Sequence, residues 1–320
     1  MNLLKAGFSR VNVTPMLGIF VSGYYKERYA SGVLDELEIN ALALECGTER
    51  ALMLCMDVAG IRRDLAKKYR KHISEATGVR EDAIFISGTH THTGPELNDG
   101  VGAFLIRSSE DNLPLQKEYE QFVDRKMVAA ATMALDDLQP AKMGYGIGQA
   151  PNIAFVRRFR MKDGSVQTNP GVDNPGIDHP IGDVDERVNV LRFNREGAES
   201  IVLCNFSCHP DVVGGNLVSA DWPALYRRRL EKALEIREQI PTPFHLYDEA
   251  GIRANAFCGV YNILNTACYL LKVGCTGNRV FKLAELADQP VYGRFRAANV
   301  RGYLNGKGIN IVRHDSLSSF

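Results

Sequence analysis

Apolar runs of strand length alternate with amphipathic stretches of helix length along most of this chain, and that alternation narrows the fold more than any other feature. Ala41 to Leu44 and Ala51 to Met56 are two such runs, separated by Gly47-Thr48 in a hairpin-like pattern. Arg62 to Ala76 carries Leu65, Tyr69 and Ile73 at helical spacing, with Gly78 as its stop. Ala83 to Ser87 follows as a buried strand that runs straight into a polar loop. A second helix, Pro114 to Leu138, opens on proline and ends before Pro140, with an apolar stripe of Tyr119, Phe122, Val123, Met127, Ala130 and Ala134. Further strands are expected at Val188 to Phe193 and Ile201 to Phe206, and a helix from about Trp222 to Arg237. The expected fold is α/β, a layered domain with mixed β-sheets flanked by helices.

Two stretches break the pattern. Residues 144–186 are rich in Gly, Pro, Asn and Asp and predict little regular structure beyond a strand or two; loops this long are usually functional. Beyond residue 240 the period fades: the apolar run Tyr261 to Val273 reads equally as strand or helix. We therefore divide the chain into a main domain, residues 1–240, and a divergent tail, 241–320, which is an incomplete part of the same domain or an appendage to it.

Charge excludes some partners. Lys plus Arg equals Asp plus Glu at 38 each, so no net field draws the chain to nucleic acid or an acidic membrane, and a small or neutral substrate is expected. No apolar window reaches the length of a transmembrane span. Met1 to Pro15 lacks the apolar stretch of a signal peptide, so the expected location is cytoplasmic, or secreted or periplasmic if a leader has been removed. The seven cysteines form no CxxC pair and read as buried free thiols. Oligomeric state is not legible.

Chemistry concentrates at strand ends. Ser87 to Pro95 (SGTHTHTGP) places His90 and His92 just past a buried strand, where i, i+2 spacing in extended chain puts both rings on one face. Imidazole is the commonest metal ligand, so the pair reads as a metal or catalytic site, against an incidental polar loop. His209 likewise follows an apolar strand and precedes Pro210. Asp57 ends the run ALMLCMD, where a carboxylate needs an ion pair, a helix to cap or a role in the chemistry. Asp221 reads first as a helix N-cap. Arg157 and Arg158 read as a solvated edge or as groups holding a carbonyl oxygen. His72 and the run Arg227 to Arg229 read as exposed helix faces. No GxSxG elbow, Walker loop, dinucleotide-binding glycine fingerprint or HExxH motif occurs.

Several segments, taken in order, resemble the neutral/alkaline, non-lysosomal ceramidases. They are VNVTP (11–15), Gly23-Tyr24-Tyr25, GVLDEL (32–37), MDVAG (56–60), SGTHTHTGP, KDGSVQTNPG (162–171), DVDERVNVLRF (183–193), NFSCHPDVVGG (205–215) and SADWP (219–223). The resemblance spans roughly residues 5 to 238. It implies a zinc-dependent amide hydrolase that cleaves the N-acyl amide of ceramide or a related compound, with Zn2+ as cofactor. His90 and His209 inherit the zinc-ligand roles, His92 acts beside the metal on a proton, and Arg157 holds substrate oxygen, preceded here by Val156 instead of the family's Asn.

The tail departs from the family. Its members complete the zinc site with a Glu and a Tyr after the second histidine motif and carry an Asn-Gly-x-x-Gly-Asp-type strand end; here Ala256 to Asn262 stands in that place. Glu249, Glu285, Tyr247 and Tyr292 are available as ligands, and none stands out. The alternative reading is a catalytically inactive ceramidase-like binding protein with an incomplete zinc site. A third is an esterase or phosphoesterase using the same histidines.

Overall fold

The structure is a computed structural model that describes residues 3–95, 97, 112–239, 254–259 and 312–313. Strand β1 (Leu4–Asn12) and the short β2 (Gly32–Val33) lead into β3 (Glu38–Cys46) and β4 (Glu49–Met56). The last two form an antiparallel hairpin on the predicted Gly47-Thr48 turn, with Cys46 opposite Glu49. Helix α1 (Arg63–Thr77) ends at Gly78, whose left-handed φ of 73° turns its N–H back onto the Ser74 carbonyl. Next come β5 (Ile84–Gly88), α2 (Leu113–Asp136), β6 (Gln139–Gln149), β7 (Arg158–Met161), β8 (Val166–Thr168) and β9 (Ile177–Pro180). The described residues close with β10 (Arg187–Arg195), β11 (Ser200–Asn205), β12 (Leu217–Val218), α3 (Asp221–Gln239), β13 (Ala254–Gly259) and β14 (Val312–Arg313).

A nine-stranded sheet runs in the order β13-β11-β10-β6-β1-β3-β4-β5, with β14 also beside β6. Most neighbours are antiparallel, but β4–β5, β11–β13 and β6–β14 are parallel. This mixed sheet with its helices is the expected α/β architecture.

Two cores explain the strand sequences. Ile39, Ala41 and Ala43 of β3, with Leu52, Leu54 and Met56 of β4, face α1 and α2 and pack on Leu65, Tyr69, Tyr119, Val123 and Met127. The alternate residues, Leu42 and Leu44 with Met53 and Cys55, face the other way and meet Met143, Leu191, Phe193 and Leu203. The sheet thus folds over itself about the brief β1–β6 pairing, Lys5 and Ala6 against Pro140 and Gln139. Because both faces are buried, β3 and β4 read as continuous apolar runs without polar alternation. Close approach of β1 to α2 also demands Gly7: a Cβ there would lie 2.0 Å from the Ala134 carbonyl oxygen.

Two expectations need correcting and a third refining. The Gly- and Pro-rich segment holds more structure than its composition predicts, namely the far half of β6 and a separate three-stranded antiparallel sheet, β8-β7-β9. Those strands are three or four residues long and β8 is exposed throughout, so no apolar period marks them. His72 keeps a side chain 40% exposed, as expected of a helix face, but it is not unattached: its Nδ1 lies 2.9 Å from both Asp124 carboxylate oxygens, and Lys68 bonds Glu120 beside it, so polar contacts tie α1 to α2.

The second correction is Arg227. Its neighbours Arg228 and Arg229 are exposed, but Arg227 is buried and clamps Asp57 with Nη1 and Nη2 at 3.0 and 2.6 Å. Nη2 also reaches Glu38 at 3.2 Å. Of the readings open for Asp57, the ion pair is the one found. The pair fastens α3 to the end of β4, next to the loop that bears His90. The apolar run Tyr261 to Val273, with His245 and His314, lies outside the described residues. Among the described residues, no helix is long and apolar enough to cross a membrane.

Candidate functional site

The histidine loop leaves the sheet where β5 ends at Gly88. Thr89 N–H donates to the Met56 carbonyl and His90 N–H to the Val58 carbonyl, both at 2.9 Å, so the loop stays bound to the strand end beside it. His90 then takes a left-handed φ of 71°, uncommon for a residue with a side chain and typical of strained functional positions. Thr91 and Thr93 are fully buried, and their hydroxyls donate to the Ser219 carbonyl at 2.7 and 2.9 Å. The two histidines therefore converge through a kinked loop pinned by its threonines, not through the plain extended chain that i, i+2 spacing presupposed.

Ring orientation follows from backbone carbonyls. The His90 Nδ1 faces the Ala59 carbonyl oxygen at 2.5 Å, and the His92 Nδ1 faces the Gly23 carbonyl oxygen at 2.9 Å. A carbonyl only accepts, so each neutral imidazole carries its proton on Nδ1 and leaves Nε2 as a lone pair. The two Nε2 atoms are 3.2 Å apart. His209 comes in from the loop after β11, with ring centroids 5.0 Å from His90 and 4.5 Å from His92. One ligand nitrogen from each of the three lies within 4.8 Å of the others.

This donor set fits a metal. Two lone pairs facing at hydrogen-bond distance repel unless a cation or a proton sits between them. Imidazole nitrogens on one tetrahedral zinc, at about 2.0–2.1 Å each, stand about 3.3 Å apart, close to the spacing seen. The surroundings of His92 and His209 favour their neutral forms. Burial lowers the His92 pKa, helped by His90. Burial likewise pushes His209 down to about 4, with the charges of His92, Arg157 and His90 adding to the effect. The arrangement can hold a cation through all three imidazoles, or through two while the third handles a proton.

Several residues that sequence reasoning passed over build the cage. Gly23 sits at φ 107°, and a Cβ there would lie 2.7 Å from both Cβ and Cγ of His92. Arg28 is buried, stacks at 4.0 Å on the Tyr24 ring, and donates to the carbonyls of His92 and Gly215, both at 2.6 Å, and of Ser22. Tyr24 O–H donates to Asp211 at 2.6 Å, which raises the Tyr24 pKa. Asp221 does more than cap α3: one carboxylate oxygen accepts from Trp222 N–H, and the other takes the N–H groups of Val212 and Val213 at 2.9 and 2.8 Å. Asp35 holds Ser219 Oγ and Ala220 N–H, locking GVLDEL to SADWP. Of the segments that carry the resemblance, Gly23-Tyr24-Tyr25, MDVAG, SGTHTHTGP, NFSCHPDVVGG and SADWP thus meet around the histidines. Glycine and charge beside the histidine motifs were the available signal.

Arg157 is exposed, just ahead of β7, and its charge reaches His209; Arg158 is exposed at the start of β7. Glu249, Glu285, Tyr247 and Tyr292 lie outside the described residues. Among the described cysteines, Cys46, Cys55 and Cys204 are buried and in no disulfide, as expected, while Cys208 is half-buried beside His209.

No family model matches the chain. Among solved structures it is similar to the neutral ceramidase from Pseudomonas aeruginosa, with a TM-score of 0.57 and 17% identity, covering 81% of this chain and 38% of that one. A ceramidase complexed with C2 matches with a TM-score of 0.56 and 18% identity, again over 81% and 38%. At that identity the likeness is one of fold, and the chain spans less than half the length of either structure.

Proposed function

We propose that this protein is a zinc-dependent amide hydrolase of the ceramidase type, cleaving the N-acyl amide of ceramide or a related compound. One observation carries the reading: on a fold shared with ceramidases, His90, His92 and His209 converge from two separate loops with ligand nitrogens within 4.8 Å. His90 and His209 hold the metal, and Glu249, Glu285, Tyr247 and Tyr292 are the candidates that the sequence offers for the remaining ligand. With zinc held there, the site would gain a Lewis acid for the amide carbonyl and a bound water acidified to near neutral pH.

The chain's own groups do the rest. Arg157, exposed and close enough to act electrostatically on His209, receives the carbonyl oxygen as negative charge gathers on it. His92, with Nδ1 committed to Gly23, has Nε2 as the atom that takes a proton and returns it to the leaving amine. The 3.2 Å separation of the His90 and His92 Nε2 atoms favours a second division of labour, with His92 as third ligand. His92→Ala separates the two: zinc retained with hydrolysis lost supports the proton role, whereas zinc lost as fully as in His90→Ala makes His92 a ligand.

The reading is tested with a short-chain N-acyl sphingosine and its ester analogue, each with and without a chelator. Amide hydrolysis that the chelator abolishes and added zinc restores is the expected result. Cleavage of the ester alone supports the esterase reading, and binding of the amide without turnover supports a catalytically inactive relative.

A further inference from the structure

The loop that carries His209 is tethered to the segment that orients His92 by one hydrogen bond between side chains. Asp211 lies two residues after His209, and its N–H donates to the His209 carbonyl at 3.1 Å, so carboxylate and imidazole belong to one tight turn. Across the site, the Gly23 carbonyl fixes the His92 Nδ1, and the very next residue, Tyr24, donates its phenol O–H to Asp211 Oδ1 at 2.6 Å. The other Asp211 oxygen lies 4.0 Å from the His92 Nδ1. Arg28, stacked on the Tyr24 ring, presets the phenol's direction while bonding the His92 and Gly215 carbonyls.

Other tethers of this loop serve different ends. Asp221 grips Val212 and Val213 and fastens the loop to the body further along the chain, while Arg28 joins Gly215 to the backbone carbonyl of His92. Tyr24–Asp211 joins the residue next to the His92 support directly to the His209 turn, alongside the 4.0 Å approach of Asp211 to the His92 Nδ1. We propose that Tyr24 and Asp211 are positioning residues that set the separation of His209 from His92 and so tune the affinity and geometry of the metal site. This rests on the metal-binding reading proposed above. The ligand so placed is His209, and removing a group that orients a ligand without touching the metal characteristically alters metal affinity about 10–100-fold.

Three variants of the full chain test it: Tyr24→Phe and Asp211→Ala, which break the bond, and Asp211→Asn, which keeps a carbonyl acceptor for the phenol. Zinc dissociation constants come from competition with a chromophoric chelator, and site geometry from the visible spectrum of the cobalt(II)-substituted protein. The expected result is about a tenfold weaker zinc affinity and an altered cobalt spectrum for Tyr24→Phe and Asp211→Ala. Asp211→Asn is expected to stay near wild type, and the metal-free proteins to melt alike. Wild-type affinity and spectrum in both Tyr24→Phe and Asp211→Ala overturn the lock alone. A wild-type chain that takes up neither zinc nor cobalt overturns the lock together with the metal reading beneath it.

Discussion

Arg227→Met is expected to destabilise the fold by about 3–5 kcal/mol, the cost of leaving one member of a buried ion pair without its partner. Asp57 has no side-chain exposure and Arg227 only 1%, so water cannot take the arginine's place. Glu38, the third member, keeps Arg10 Nε at 3.2 Å when Arg227 is lost. Among the described residues, Asp57 then keeps the Glu38 N–H at 3.0 Å and is stranded in the interior without its cation. Adding Asp57→Asn removes that charge while keeping an acceptor for the N–H, so the double variant is expected to regain about half of the loss. Arg228→Met and Arg229→Met, at exposed neighbouring positions, are expected to stay within about 0.5 kcal/mol of wild type. Urea unfolding reads all four. An Arg227→Met protein within about 1 kcal/mol of wild type contradicts the pairing.

Gly23→Ala is expected to have the largest effect on the site for its size. The added Cβ meets His92 atoms at 2.7 Å, so the ring must move from the position its Nδ1 bond holds. A displacement of about 1 Å in a reacting group costs about 10²-fold in rate, and that is the loss expected in amide hydrolysis. Backbone strain has to be separated from this collision. Gly18, at φ 84°, has nothing within 4 Å of a built Cβ, so Gly18→Ala incurs the strain of about 1–3 kcal/mol without touching the histidines. Both variants should therefore lose stability while only Gly23→Ala loses hydrolysis. Equal activity in the two would show that the glycine carbonyl does not set the His92 ring.

These predictions fall on residues that were unevenly legible in the sequence. The hairpin on Gly47-Thr48, the Leu65–Tyr69–Ile73 stripe of α1 and the Tyr119 to Ala134 stripe of α2 are local periodic patterns, and periodicity is what a sequence displays. Arg227 was not legible. Within Arg-Arg-Arg every position looks equally solvated, and which one turns inward depends on Asp57, 170 residues earlier. The three histidines were legible because two strand-to-loop junctions carry them. Their convergence was foreseen for the wrong local reason, since a left-handed His90 and two buried threonines cannot be read from spacing. Tyr24 and Asp211 lay inside recognisable segments, but nothing in either segment announces a bond across 187 residues.

The central claim is that His90 and His209 belong to a metal site, and metal content tests it most directly. Purified wild-type protein and the His90→Ala/His209→Ala double variant, both supplemented with zinc and then desalted, are compared by elemental analysis. About one zinc per wild-type chain, lost in the double variant, is the predicted result. No zinc in the wild type, or equal zinc in both proteins, would contradict the account.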